Sequence, residues 1–282
     1  MIKLFVSDLD GTLLGSNHQI SQRTAQAIKD LQARGVEFMV ATGRDRYSCL
    51  QLIKAAGIEC ATINLNGAII YQADGLVSYR QSLSLELYHK LVQAILNDKL
   101  DYSVMADDHF YVADVEAFYR RVSSYLGQNH HPDDHTNAQL SDQFGNIKAL
   151  DQLDLEKSSI YKLMIMSSQP LQLHQFRAEW QDHPKLDITA SGPDNLEITH
   201  KDAQKGLAIQ KYIQDKGYTM DQVATIGDSL NDRSMLKMAG YSYAMSNATD
   251  AVKGMAKYIA PPNDEDGVAQ IIETIIQSMK GK

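Results

Sequence analysis

The sequence has little cysteine, little tryptophan and no long apolar run, and each shortage excludes a class of protein. Its 282 residues include two cysteines, Cys49 and Cys60, and one tryptophan. Two cysteines do not make a disulfide framework, so we expect a reduced compartment, by default the cytoplasm. No segment approaches the roughly 18 apolar residues of a membrane span. The short apolar start of the chain is typical of a strand, not of a signal peptide.

Positive charge is also scarce, and it is scattered along the chain. There are 27 lysines and arginines against 35 aspartates and glutamates, and the formal net charge is −8. Nucleic acids bind clustered positive charge, so we expect no nucleic-acid partner. If the substrate is an anion, a bound cation and a few basic groups have to attract it locally. The hydrophobic share of 44% and the charged share of 22% are those of a globular protein.

Strands and helices alternate at both ends of the chain. Buried strands are predicted at residues 2–7, 36–41 and 61–65, with helices between them, and a hairpin is predicted over residues 68–79. The alternation returns near residue 201 with a helix and a strand at 222–226. This rhythm predicts an α/β fold, a Rossmann-like doubly wound parallel sheet.

The middle of the chain has a different pattern. It combines helices with strands joined by tight turns, which predicts an α+β unit with antiparallel strands. We therefore predict a core made of residues 1–83 and 197–282, with residues 84–196 inserted as a second domain. Residues 127–158 are polar and receive no assignment. Within them, His130, His131 and His135 have a composition that can bind zinc, but we favour a mobile polar loop.

Two aspartates follow the first predicted strand. Asp8 comes directly after it, and Asp10 lies two residues on, before Gly11. Ligands of open α/β sheets bind outside the carboxyl ends of the strands, so Asp8 stands where a nucleophile would. A pair of carboxylates there suits a division between attack and proton transfer. Taken alone, the Asp-x-Asp pattern is equally typical of a solvated loop.

Further polar residues occur at other strand ends and at one helix start. Thr42 and Gly43 follow the second strand, where a hydroxyl and an amide can bind phosphate oxygens. Lys205 opens a helix, so its ammonium adds to the positive end of the helix dipole. Asp228 and Asp232 follow the strand at 222–226. Each of these has an ordinary structural explanation, but their joint occurrence at the expected positions favours a phosphoryl-transfer site.

The motifs at these positions resemble those of the haloacid dehalogenase superfamily, and specifically its Cof-type sugar-phosphate phosphatases with a C2-type cap. The resemblance covers nearly the whole chain. The matching motifs are Asp8-Leu9-Asp10-Gly11-Thr12-Leu13, Ala41-Thr42-Gly43-Arg44, Lys205-Gly206 and Gly227-Asp228-Ser229-Leu230-Asn231-Asp232. The segment between the second and third motifs has the length of that cap, which would close over the site and select the leaving group.

The resemblance implies a role for each of these residues. Asp8 would be the nucleophile and Asp10 the general acid and base. The phosphate- and substrate-binding residues would be Leu9, Thr42, Gly43, Arg44, Lys205 and Asn231. Mg²⁺ would be held by Asp8, the main-chain carbonyl of Asp10, Asp228 and, through water, Asp232. For Arg44 the sequence leaves two interpretations open, contact with a second anionic group of the substrate or an ion pair at the surface.

Electrostatics explains why such a site needs cations. A carboxylate that approaches a phosphate dianion meets a repulsion of about 4 kcal/mol per charge pair at about 4 Å in an effective dielectric near 20. Mg²⁺ on oxygen ligands and the Lys205 ammonium would offset it. We therefore predict a Mg²⁺-dependent phosphatase that hydrolyses small phosphorylated metabolites, such as sugar phosphates, through an aspartyl phosphate.

Two other functions are compatible with the same residues. A phosphomutase would use the same intermediate and return the phosphoryl group to the sugar, so its product would be an isomerised sugar phosphate. A phosphate-sensing regulatory protein would keep the acidic pocket without turnover, although it would not need Asp10. The sequence leaves open whether the chain is a monomer or a homodimer.

Overall fold

The computed structural model describes residues 1–107, 109–125, 146–190 and 194–280. The chain forms two compact units, one made of Met1–Arg80 with Gln204–Lys282 and the other of Gln81–Ala203. The histidines at positions 130, 131 and 135 lie outside the described residues. Within the described ranges, no helix has the length and apolar character needed to cross a membrane.

In chain order the strands are β1 (Leu4–Ser7), β2 (Glu37–Ala41), β3 (Ala61–Asn64), β4 (Ile69–Tyr71), β5 (Val77–Arg80), β6 (Asp101–Ala106), β7 (His109–Val112), β8 (Asn146–Ala149), β9 (Ile160–Met166), β10 (Leu186–Thr189), β11 (Asn195–His200), β12 (Val223–Gly227), β13 (Tyr241–Met245) and β14 (Tyr258–Ala260). The α-helices are α1 (Gln22–Gln32), α2 (Arg46–Ala55), α3 (Leu85–Asn97), α4 (Val115–Tyr125), α5 (Pro170–Trp180), α6 (Lys205–Gln214), α7 (Arg233–Met238), α8 (Asp250–Lys253) and α9 (Gly267–Lys280).

The first unit is built on an eight-stranded sheet in the order β14-β13-β12-β1-β2-β3-β4-β5. The strands from β14 to β3 are parallel, whereas β4 and β5 form the predicted antiparallel hairpin. The central strand β1 pairs with β2 through Leu4 and Glu37, and with β12 through Leu4 and Val223. The carboxyl ends of β1, β2 and β12 therefore meet at one edge of the sheet.

Helices cover both faces of this sheet, because successive side chains of β1 point to opposite sides. Phe5 packs in one core cluster with Ile28 of α1 and Ile272 of α9. Leu4, on the other face, packs in a second cluster with Ile209 of α6. All five of these side chains are fully buried. The predicted doubly wound α/β architecture is confirmed.

The second unit has a six-stranded sheet in the order β10-β11-β9-β6-β7-β8. Its pairs are antiparallel except β7 with β8, which are parallel. Leu91 of α3 and Phe176 of α5 pack in its core. Strand β8 falls within the stretch that received no assignment from the sequence.

The junctions between the units lie three residues before the one expected at 83/84 and seven residues after the one expected at 196/197. At the first, Leu83 forms an isolated bridge with Ile160 of β9, so it belongs to the second unit. At the second, β11 pairs with β9 and β10 along its length, which keeps it in the second sheet. The interpretation of this unit as a C2-type cap stays a prediction.

Candidate active site

Asp8 extends strand β1 by one residue into the edge where the three strand ends meet. Its backbone N–H donates to the carbonyl of Ile226 on β12, at 2.9 Å. The residue is 5% exposed. The chain then turns sharply at Gly11, which has a φ of +70°. A side chain at Gly11 would also collide with Asp228, because a Cβ there would lie 2.5 Å from Oδ2 of that residue.

Lys205 lies between two carboxylates at the centre of the site. Its Nζ donates to Oδ1 of Asp8 and to Oδ1 of Asp232, both at 2.6 Å. Lys205 and Asp232 are fully buried. Lys205 is the first residue of α6, so the helix start and the pair of carboxylates together fix its position. The helix beginning predicted from the sequence thus carries its ammonium to Asp8, 197 residues away in the chain.

Asp232 supports the loop that follows β12. Its Oδ2 accepts hydrogen bonds from the backbone N–H groups of Asp228 (2.9 Å) and Ser229 (3.0 Å). Because Oδ1 accepts from Lys205, both oxygens of this buried carboxylate are engaged. Asp228 accepts a hydrogen bond from the Thr12 hydroxyl at 2.8 Å, which links the loop to the turn after β1. Asp232 therefore sets the position of Asp228 and of Lys205 at once.

Asp10 and Arg44 form a bidentate ion pair. The guanidinium donates from Nε to Oδ2 at 2.8 Å and from an η nitrogen to Oδ1 at 2.6 Å. The side chain of Asp10 is 49% exposed, and that of Arg44 is 25% exposed. The hydrogen bonds that Arg44 donates to Asp10 raise the pKa of Arg44, and burial opposes that shift. Of the two interpretations of Arg44, the structure shows an ion pair, and its partner is the predicted general acid and base.

The predicted phosphate-binding residues surround the end of β2. Thr42 is buried, and its hydroxyl oxygen accepts a hydrogen bond from the N–H of Arg44 at 3.1 Å. The Thr42 hydroxyl hydrogen is left to donate to a ligand. A Cβ on Gly43 would lie 3.0 Å from Oδ1 of Asn66. The Leu9 side chain is fully buried in the core, so a role of Leu9 at a phosphate falls to its backbone.

Asn231 joins two loops of the site. Its Nδ2 donates to Oδ1 of Asn66 at 3.0 Å, and its Oδ1 accepts from the Ser229 hydroxyl at 2.5 Å. Asn66 follows β3 in the left-handed region, with a φ of +59°. The sequence indicated neither Asn66 nor Thr12 as a separate site residue. A polar residue at the end of a third parallel strand was the available signal for Asn66.

Burial and crowding of like charges perturb the carboxylates. Burial, followed by repulsion from Asp232, raises the pKa of Asp8 well above 3.8, although Lys205 opposes the shift. Burial also raises the pKa of Asp228. For Lys205, burial disfavours the charge, but Asp232 and Asp8 outweigh it and raise its pKa. Lys205 is therefore protonated at neutral pH, and a further cation would favour ionised Asp8.

The carboxylates have the chemistry of a site for a hard divalent cation. Asp8, Asp228 and Asp232 each offer an oxygen, and these oxygens lie within 4.8 Å of one another. Carboxylate oxygens are the ligands that Mg²⁺ prefers. The donor set therefore fits the ion implied by the motifs. The Asp10 carboxylate is engaged with Arg44, which is consistent with a contribution through its main-chain carbonyl.

The family comparison decides the identity of the chain. The haloacid dehalogenase-like hydrolase family matches residues 5–272. The chain belongs to this family. Phosphatase YwpJ of Bacillus subtilis is 27% identical to this hydrolase over 285 residues, which cover 98% of this chain and 100% of that protein. The 5-amino-6-(5-phospho-D-ribitylamino)uracil phosphatase YcsE of the same organism is 30% identical over 271 residues, which cover 96% and 94%.

A solved structure has the same fold. A haloacid dehalogenase-like hydrolase from B. subtilis matches with a TM-score of 0.82 and 25% identity, covering 96% of this chain and 99% of that one. The predicted superfamily, its Cof-type phosphatase branch and the class of phosphoric monoester hydrolase are thereby confirmed.

Proposed function

We propose that this hydrolase is a Mg²⁺-dependent phosphatase that cleaves small phosphate monoesters through an aspartyl phosphate on Asp8. The observation that carries the proposal is the buried Lys205, held at 2.6 Å from both Asp8 and Asp232. A lysine buried between carboxylates orients a nucleophile at the end of the central strand and favours its charged form. A purely structural ion pair at this edge would not need Asp228 and Asp10 beside it.

Oδ1 of Asp8 accepts a hydrogen bond from Lys205, and in this proposal the other carboxylate oxygen of Asp8 attacks phosphorus. As the new P–O bond forms, the bond to the leaving oxygen breaks, and that oxygen takes a proton from Asp10, which has to enter this step in its protonated form. Donation of this proton requires the ion pair between Asp10 and Arg44 to open. Water then attacks phosphorus, Asp10 accepts its proton, and the bond to Asp8 breaks to release inorganic phosphate. Arg44 is placed to stabilise the ionised Asp10 that this second step uses.

The remaining residues bind and orient the phosphate in this proposal. The Thr42 hydroxyl and the backbone of Gly43 lie at the carboxyl end of β2, beside β1, where phosphate oxygens would approach Asp8. Asn231 has one amide hydrogen beyond the one it donates to Asn66, and it can donate that hydrogen to the phosphate. Lys205 contributes its positive charge at short range. These groups make the approach of an anion favourable although the whole chain carries a net charge of −8.

The proposed metal ligands are Asp8, Asp228 and the main-chain carbonyl of Asp10, with Asp232 acting through water. This last role agrees with the engagement of both Asp232 oxygens by Lys205 and by backbone N–H groups. Mg²⁺ bound there would favour the ionised Asp8 and offset its repulsion from the phosphate. Asp228, held by Thr12, is then a metal ligand with a fixed orientation.

The proposed substrates are small phosphorylated metabolites, with sugar phosphates and related polyol phosphates first. The similarity to a 5-amino-6-(5-phospho-D-ribitylamino)uracil phosphatase supports the inclusion of ribityl phosphates in a test panel. Phosphate release would be measured over that panel with Mg²⁺ and ranked by kcat/KM. Isomerised sugar phosphate in place of free phosphate would instead identify a phosphomutase.

The nucleophile and the metal are tested together. Asp8→Asn should abolish phosphate release while the circular dichroism spectrum and the unfolding transition stay those of a folded protein. Asp30→Asn, an exposed carboxylate on α1, is the matched control and should keep wild-type activity. Chelation should stop the wild-type reaction, and added Mg²⁺ should restore it. Full activity of Asp8→Asn, or activity that survives exhaustive chelation, would refute the proposal.

A further inference from the structure

Three side chains from the loops that follow β13 and β14 bind the turn that follows Asp8 and Asp10. Asn247 donates from Nδ2 to the carbonyl of Gly11 at 2.9 Å. Asn263 donates from Nδ2 to the carbonyl of Leu14 at 2.8 Å. Asp264 accepts from the N–H and the hydroxyl of Ser16, at 2.7 and 2.5 Å. The turn is thus bound to the loops that follow β13 and β14.

Asn247 connects these loops to each other as well as to the turn. Its Oδ1 accepts a hydrogen bond from the backbone N–H of Asn263 at 3.2 Å, while its Nδ2 bonds Gly11. The Asn247 side chain is therefore fixed at both of its polar atoms. An asparagine satisfies this arrangement because it has a donor and an acceptor on the same group.

Gly11 is held from two sides. Its α-carbon lies against Asp228, since a Cβ there would be 2.5 Å from Oδ2, and its carbonyl is bound by Asn247. The next residue, Thr12, donates to Asp228. Glycine adopts positive and negative φ with similar ease, so its own backbone does not select the conformation with φ at +70°. The hydrogen bonds select it.

We propose that Asn247 is a positioning residue for Asp10, acting through the Gly11 carbonyl. The inference rests on the proposed role of Asp10 as proton donor and acceptor. Asp10 immediately precedes Gly11, and its side chain is half exposed and bonded to Arg44. Once that ion pair opens for proton donation, the backbone of the turn is what carries Asp10 to the reacting oxygen. Asp8 differs, because it is anchored to β12 and to Lys205. Loss of Asn247 should therefore impair proton transfer more than the nucleophile.

Leaving groups of different basicity separate these two effects. An alkyl phosphate needs its leaving oxygen protonated, whereas p-nitrophenyl phosphate releases a stable phenolate without a proton. A well-placed general acid contributes roughly 10²–10⁴-fold to such a step. A displaced Asp10 should thus reduce kcat/KM, which reports the step in which the alcohol leaves, by about 10-fold or more for an alkyl phosphate, with a smaller loss for p-nitrophenyl phosphate.

The key variant is Asn247→Asp, which keeps the acceptor for Asn263 but turns an oxygen towards the Gly11 carbonyl. Asn247→Ala is the second variant. The matched control is Asn17→Ala, whose side chain accepts a hydrogen bond from the N–H of Gln19 in an exposed loop. For each protein, kcat and KM would be measured with glycerol phosphate and p-nitrophenyl phosphate. All rates would be measured at saturating Mg²⁺, because the main-chain carbonyl of Asp10 is itself a proposed metal ligand, and the unfolding temperature would be measured as well.

We expect both Asn247 variants to lose kcat/KM selectively for glycerol phosphate, with Asn17→Ala at the wild-type level. Equal losses of kcat/KM for the two substrates, or no loss for either, would overturn the role of Asn247. The variant Asp10→Asn shows whether only the role of Asn247 has failed or the proposed acid role of Asp10 as well. If it is inactive on glycerol phosphate while Asn247→Asp is normal, only this inference fails. If Asp10→Asn is fully active, the proposed acid role and this inference fail together.

Discussion

Replacement of Lys205 by methionine tests the charge balance at the centre of the site. Methionine nearly matches the length of the lysine stem, so packing changes little, but Asp8 and Asp232 lose their shared cation. Removal of one partner of a buried pair typically costs about 3–5 kcal/mol. Repulsion between carboxylate oxygens within 4.8 Å is about 3.5 kcal/mol in an effective dielectric near 20, which agrees with that range. We expect the free energy of unfolding to fall by about this amount without metal.

The assay is urea unfolding at neutral pH, with a chelator and with Mg²⁺, for wild type and Lys205→Met. Lys211→Met, an exposed position on the same helix, is the control and should change the free energy of unfolding by less than about 0.5 kcal/mol. Mg²⁺ should stabilise Lys205→Met more than wild type, since it replaces the missing charge. Phosphatase activity should be lost in either condition.

The pH dependence of Lys205→Met has a defined sign. Burial and Asp232 raise the pKa of Asp8 in the folded state, and removal of Lys205 takes away the group that opposes this rise. A raised carboxyl pKa stabilises the folded state at low pH, and this stability is lost as the pH rises from the unfolded value of 3.8. The deficit should therefore be smaller at acidic pH. A free energy of unfolding within about 1 kcal/mol of wild type under chelation at neutral pH would refute the reasoning.

Two further predictions concern the first unit. Gly11→Ala should lower the free energy of unfolding by about 1–3 kcal/mol and impair phosphate release, because a residue with a Cβ is strained at this φ and its Cβ collides with Asp228. The control is Gly35→Ala, where φ is +78° and no neighbour lies within 4 Å. Its thermal unfolding measures the cost of the positive φ without a collision. Burial raises the pKa of Glu37, but hydrogen bonds from Lys216, Tyr212 and Tyr218 outweigh it and lower the pKa below 4.5. The stabilisation that Glu37 provides is then present above pH 4.5 and is lost as the pH falls through the pKa of Glu37 in the folded state. The unfolding temperatures of wild type and Glu37→Gln should therefore converge in acid. A difference that stays constant with pH would contradict this.

Local sequence signals predicted the strand ends and the residues that stand there. Asp8 follows β1, Thr42 follows β2 and Asp228 follows β12, because a short apolar run ended by a polar residue marks a buried strand and its carboxyl end. The sequence also predicted the helix start at Lys205. These features depend on a few neighbouring residues, so periodicity is enough to locate them.

Pairings between distant segments could not be predicted in this way. The ion pair of Asp10 with Arg44 depends on how two turns meet, and the bond of Asn247 to Gly11 joins positions 236 residues apart. The order of strands in the sheet has the same origin, since adjacency of β1 and β12 leaves no periodic trace. Strand β8 was not predicted, because it is short and lies in a polar segment, so its alternation of polar and apolar residues is too brief to recognise.

The location of β1 between β2 and β12 also has a consequence for synthesis on the ribosome. Leu4 pairs with Val223, and Asp8 contacts Lys205. About 200 further residues are therefore synthesised after β1 before β12, its second neighbour in the sheet, emerges from the ribosome. Contacts of such long range make folding slow, and domains commonly fold in the order in which they are made. The unit at Gln81–Ala203 is complete before β12 exists. A nascent chain therefore carries no assembled Asp8–Lys205 pair until the C-terminal half of the sheet has emerged.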